Sequence, residues 1–171
     1  MALLIVRTEG WRVALQCGDS TPSTALLPGS MTEELRIEVF RNVSSTCDHG
    51  MLAGRLSSVL PNVVGIGQVR LEGPVGEEIL ACNFGGSLVG GLLDEYRAAV
   101  EQELGALNEK SAQRETQRIV VTSAGFDPMY SSENAFILLT RMLVSGLTFL
   151  AAERALDSDW VSSTLRESMP V

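Results

Sequence analysis

Leu3 to Thr8 and Trp11 to Cys17 flank the pair Glu9-Gly10, and in the second run Trp11, Val13, Leu15 and Cys17 occupy alternate positions. Alternation puts those four side chains on one side of a strand, so the pair predicts a hairpin with one buried face. Glu34 to Val43 alternates again, with Leu35, Ile37 and Val39 expected inward and Glu34, Arg36 and Glu38 expected in water. Between these runs, Gly18 to Thr32 is rich in Ser, Thr, Pro and Gly and predicts a loop. From Gly50 to Leu60, Met51, Leu52, Leu56, Val59 and Leu60 fall on one helical stripe ahead of Pro61, which predicts a short helix. Val63 to Glu72 and Glu77 to Phe84 are β-rich runs joined by Gly73-Pro74-Val75-Gly76, which predicts a second hairpin.

After Gly85-Gly86-Ser87 the spacing changes to three and four. Val89, Leu92, Leu93, Tyr96, Val100, Leu104 and Leu107 mark an amphipathic helix, with Asp94, Glu95, Arg97, Glu101 and Glu103 mostly on its other side. The polar stretch 108–117 reads as a connector, and Arg118 to Ser123 as a short inner strand. Asp127-Pro128 has the form of a helix cap and first turn, with Ser131 and Ser132 as rival caps. In the helix that follows, 135–152, Arg141 is the one charged residue and apolar side chains spread around most of the circumference. Residues 157–171 are polar and weakly patterned, a tail in which Trp160, Val161 and Leu165 would dock as a single turn.

Hairpins outnumber crossover units in this order of elements. The expected fold is therefore α+β: a largely antiparallel mixed sheet of about six strands, with two long helices and one short helix packed on it. Residues 1–156 are expected to form one domain and 157–171 a C-terminal tail. Helix 135–152 carries more apolar surface than one sheet face needs, so it is expected to face a protein partner or a second copy of the chain.

Composition narrows the function. The chain has 171 residues, 13 Lys+Arg against 21 Asp+Glu, and a net charge of −8, with no cluster of basic residues, so nucleic acid is an improbable partner. Arg141 and the polar interruptions Ser145, Gly146 and Thr148 argue against a membrane span, and the N-terminal apolar run lacks the form of a signal peptide. Three scattered cysteines fit a reducing, cytoplasmic setting.

Candidate chemistry is sparse. Cys47-Asp48-His49-Gly50 is the one place in the sequence where a thiol, a carboxylate and an imidazole adjoin, and a helix starting at Gly50 would lower the thiol's pKa. The bland reading makes Asp48 a cap and Cys47 a small buried residue. Gly85, Gly86 and Ser87, read as a strand-to-helix joint, would offer backbone N–H groups to a phosphate or carboxylate, although neither nucleotide-binding fingerprint is met. Arg141, if buried, needs an anion, from Glu133, Asp127, Asp94 or Glu95 or from a ligand. One His and three separated Cys lack the spacing of a zinc finger or ribbon, so neither a metal site nor another cofactor is expected. Leu27-Pro28-Gly29, Gly54-Arg55, the segment from Val64 to Val69, and Gly76-Glu77 through Asn83-Phe84 are similar in order to landmarks of the trimeric dUTPase family. That family's catalytic Asp and sugar-stacking Tyr have no counterpart between Gly67 and Glu77, so no residue role is carried over.

The expectation is a non-catalytic protein-binding or self-assembling subunit. The alternative is a small-molecule or phosphate-ligand-binding enzyme using Gly85, Gly86 and Ser87, with His49, Cys47 and Arg141 in the site.

Overall fold

The computed structural model describes residues 2–17, 25–27, 34–58, 79–110 and 117–169. The predicted run 63–72 and the linkers 18–24, 28–33 and 111–116 lie outside the described residues. Within them the chain is α+β: a curled antiparallel sheet of seven strands, in the order β1-β2-β4-β5-β8-β7-β6, and three helices.

β1 (Ala2–Thr8) and β2 (Trp11–Cys17) form the expected hairpin. Its two-residue turn places both Glu9 (φ 52) and Gly10 (φ 83) in the left-handed region, the twist that suits a tight hairpin. β3 (Ala25–Leu26) pairs antiparallel with β9 (Leu156–Asp157) in a separate two-stranded sheet. β4 (Leu35–Val43) follows β2 in the sheet, and Leu35, Ile37 and Val39 are fully buried as their alternation requires. Glu38 departs from that pattern: expected in water, it is only 2% exposed.

The largest difference lies in β5 (Thr46–Ser58), a strand of thirteen residues where a short helix over 50–60 was expected. β5 is a central strand covered on both faces. A strand of that kind loses the inside-outside alternation that distinguishes strand from helix, so Met51-Leu52-Ala53 reads as a helical stripe. One face of β5 presents Gly50 and Gly54, where added Cβ atoms would meet Phe136 and Leu139, and Leu143, respectively. The other face presents His49, Met51 and Ala53.

Two short strands, β6 (Ile79–Ala81) and β7 (Ser87–Gly90), form a hairpin attached to β8 (Gln117–Phe126) through Val89 and Gly90, with the Gly91 N–H donating to the Ala124 carbonyl at 2.8 Å. Gly85-Gly86-Ser87 therefore joins two strands, and the expected strand-to-helix joint is absent. The hairpin curls beneath the sheet: Leu80 and Leu88 lie against Met51 and the position of Gly125, forming a small second core with Ala53.

α1 (Asp94–Lys110), α2 (Glu133–Ala151) and α3 (Ser158–Ser168) cover the opposite face. α2 is long and apolar enough to cross a membrane by length and composition, yet half of its most apolar window is buried within the fold, as in a core helix. It packs on three sides, against β4 and β5, against α1, and against α3. Phe136 stacks on Tyr96 of α1 at 4.8 Å between ring centroids, and Gly146 admits Leu35 of β4 and Trp160 of α3. The stretch expected to be a tail is thus a helix capped by Asp157, with Trp160, Val161 and Leu165 in the main core. Arg141 ties the three helices together. Its Nε donates to Glu103 Oε1 at 2.7 Å and its Nη1 to the Ser168 carbonyl at 2.7 Å, so its partner is a carboxylate of α1 that the sequence did not single out.

Gly54 gives a direct test of this packing. Its added Cβ would lie 2.7 Å from the Val120 carbonyl oxygen, next to the register shift between Ala53 and Gly54. Gly54→Ala is expected to destabilise the fold by about 1–3 kcal/mol in urea unfolding, whereas Gly105→Ala, whose Cβ would meet nothing within 4 Å beyond its own helix backbone, is expected to be neutral or stabilising.

Candidate functional site

The helix-free face of the sheet holds the polar cluster with most to say about function. His49 projects from β5 on the side away from α2, beside Phe40, its cross-strand neighbour on β4. Its ring is only 1% exposed. Each nitrogen meets a carboxylate: Nε2 lies 3.0 Å from Glu38 Oε1 and Nδ1 lies 3.1 Å from Asp127 Oδ2. Protonated, the ring donates to both, and a buried imidazolium held between two carboxylates satisfies all three groups.

Each partner is held by its own local structure. Asp127 follows β8, and its Oδ1 accepts from the Met129 N–H at 2.9 Å, while Ser131 Oγ accepts from the Asp127 N–H at 2.8 Å. The same turn is pinned to β5: the His49 N–H donates to the Tyr130 carbonyl at 3.1 Å and Ser131 Oγ donates to the His49 carbonyl at 2.5 Å. Asp127 thus orders a turn, and the cap of α2 is Ser132, one of the two rival caps. Glu38 is reached from the β6–β7 turn, where the Asn83 N–H and Nδ2 donate to Oε2 at 3.0 and 2.9 Å. Beside them, Cys82 Sγ lies 3.4 Å from His49 Nε2 and accepts from the Phe84 N–H at 3.3 Å. Gly85 and Gly86, with φ of 87° and 89°, let the chain turn tightly at this point, and Phe84 tilts against Phe40 at 6.3 Å.

The electrostatics follow from this enclosure. Burial by itself would lower the His49 pKa, but the hydrogen bonds to Glu38 and Asp127, with their charges, outweigh it and raise the value above 6.5. Burial would raise Glu38, yet the bonds from His49, Cys82 and Asn83 hold it below 4.5. The Cys82 thiol is pushed up to about 11, first by burial and then by its bond to Glu38. With Asp127 the arrangement has the order thiol, imidazole, carboxylate, but Glu38 at the same imidazole nitrogen opposes formation of a thiolate nucleophile.

His49 and the glycine turn are therefore brought together, through Cys82, whose Sγ also lies 3.3 Å from the Gly85 carbonyl. Ser87 is exposed at the end of that turn, and the turn leads into β7 before α1, whose first turn carries Asp94 and Glu95. A helix start ready for a phosphate is thus missing at Gly85-Gly86-Ser87. Cys47 shares His49's face of β5, but lies in a strand with no helix dipole, and its thiol is raised by burial, then by the charges of Asp48 and Asp127. Asp48, expected as a cap, faces the helices, where it pairs with Arg41 at 2.8 Å and accepts from Ser132 Oγ at 2.5 Å. Arg141 belongs to the helical layer, bound to Glu103, and the side chain of Arg118 lies outside the described residues.

Glu38, Cys82 and Asp127 were not recognised from the sequence as members of one site. Glu38 sits in an alternating strand like any solvated residue, and Asp127-Pro128 mimics a cap. The available signal was Cys82-Asn83 just ahead of two glycines, a turn with polar side chains to offer. Glu38, His49 and Cys82 each place a donor atom within 4.8 Å of the others, so this is the donor set, among the described residues, able to hold a metal ion. Comparison with known proteins gives no match, whether to family models, curated sequences or solved structures.

His49 is the one histidine of the chain, so its ring titration can be read without assignment. In chelating buffer the folded protein is expected to show an imidazole proton NMR titration with a midpoint above 6.5. The stabilisation from this raised pKa is complete below 6.5 and is lost as pH rises through the folded-state value. Glu38, held low, stabilises above 4.5, a contribution lost as pH falls through its folded-state value. The pair is thus expected to contribute most between those limits, with melting temperature falling on the alkaline side as His49 deprotonates.

Proposed function

We propose that the chain is a non-catalytic, protein-binding subunit that assembles through the outer edge of its sheet, at β1. α2, the helix first expected to make such contacts, packs on the sheet and on the other two helices with half of its most apolar window buried, and β1 offers a more open apolar edge. The observation that carries the proposal is the state of β1. It ends the seven-stranded sheet, and among the described residues no strand pairs with its outer side. Leu3 and Ile5 are each 44% exposed there.

The hairpin geometry says which backbone groups are on offer. A two-residue turn makes its flanking pair, Thr8 and Trp11, a doubly hydrogen-bonded pair, and bonding then alternates along the ladder. Val6 and Leu4 spend their N–H and C=O groups on β2, while Leu3, Ile5 and Arg7 turn theirs outward. An unpaired edge with apolar side chains is a template for another strand. A second copy related by a two-fold axis near Ile5 would set two β1 strands antiparallel and continue the sheet across the interface. A reducing, cytoplasmic setting is part of this proposal, and the free thiols of Cys47 and Cys82 support it.

Light scattering on the eluting protein at micromolar concentration is expected to return a dimer. Ile5→Pro removes an outward N–H without touching the β1–β2 ladder, so it is expected to give a monomer with an almost unchanged melting temperature. A wild-type protein that runs as a strict monomer would end the self-assembly reading.

A further inference from the structure

We propose that Glu38, His49 and Cys82 form a zinc site with one coordination position open. The three donors are a carboxylate oxygen, an imidazole nitrogen and a sulfur, the ligand types that zinc accepts together. A tetrahedral ion with bonds of about 2.0–2.3 Å sets neighbouring donors roughly 3.3–3.6 Å apart. Here His49 Nε2 lies 3.0 Å from Glu38 Oε1 and 3.4 Å from Cys82 Sγ. Both separations lie within a few tenths of an ångström of that range, and all three donor atoms lie within 4.8 Å of one another.

A second set of contacts aims each donor at the same point. Asp127 Oδ2 takes the Nδ1–H of His49, so the lone pair left when Nε2 gives up its proton faces Glu38 and Cys82. Asn83 holds Glu38 through Oε2, leaving Oε1 toward the imidazole. The Phe84 N–H points at the Cys82 sulfur, a contact that favours a thiolate. Such supporting contacts are a regular part of metal sites, and a chance meeting of three side chains has no reason to supply one for each donor. On binding, the ion replaces the protons of the Cys82 thiol and of His49 Nε2, which leave to solvent. The half-buried Cys82 is the least enclosed of the three donors, with Asn83 and Gly85 exposed beside it, which gives the ion its way in.

The test uses the full chain stripped with a chelator and titrated with zinc chloride and, separately, cobalt chloride. One equivalent of zinc is expected to raise the melting temperature, and cobalt is expected to give the visible bands of a tetrahedral ion with a near-ultraviolet thiolate band. Cys82→Ser is expected to abolish the thiolate band and the zinc-induced shift, while Cys47→Ser keeps both. Asp127→Asn is expected to weaken zinc binding about 10- to 100-fold through the imidazole it orients. Absence of a thermal shift and of cobalt bands in the wild type would overturn the proposal. So would a thiolate band that survives Cys82→Ser or disappears in Cys47→Ser.

Discussion

The structure depends on covering β5 from both sides. A central strand with two buried faces needs two different coats, and this chain supplies them by different means. Gly50 and Gly54 leave the space into which Phe136, Leu139 and Leu143 of α2 fit, so the helical layer closes directly on the strand. On the other face His49, Met51 and Ala53 lie under a short hairpin that reaches back from the far edge of the sheet. Because that hairpin joins β8 over a short ladder, two residue pairs and the Gly91 N–H on the Ala124 carbonyl, its position rests in part on what it meets at the far end. There Asn83 grips Glu38, four strands away in the sheet order.

The polar cluster thus has a mechanical role before any chemical one. A lone Glu or His taken into a sheet face would be costly to bury, and each makes the other tolerable. Their mutual bonds raise the imidazole pKa, lower that of the carboxylate, and close the curled sheet across a gap otherwise bridged by a few apolar contacts, those of Leu80 and Leu88 with Met51 and Ala53 and that of Phe84 with Phe40. A donor set assembled for closure is also one that a metal ion can enter, since zinc replaces protons at the same atoms. The helical side closes differently, with Arg141 joining Glu103 of α1 to the end of α3.

Legibility differed from element to element for physical reasons. The β1–β2 hairpin was clear because one face is solvated and the turn pair Glu9-Gly10 is local chemistry. α1 and α2 were clear because their spacing is helical over many residues. β5 was misread as a helix because double burial erases the alternation that marks a strand, and α3 as a tail because its three apolar anchors, Trp160, Val161 and Leu165, are few for its length. His49 was singled out as a residue type, but for a neighbour in sequence, Cys47, whereas its contact in space is Cys82, at the tip of another hairpin.

Residue order by itself determined the class of fold, the helical and hairpin segments, and which faces of β2, β4 and α1 turn inward, since these follow from periodicity and turn chemistry within a few residues. Only the tertiary structure decided that α2 packs between the sheet and the other two helices and that Glu38 is buried. It also decided that Glu38, His49, Cys82 and Asp127 share one site. These four come from separate strands and turns, and their meeting depends on how far the sheet curls. Curl is summed over the twist of many residue pairs, and no local pattern records it.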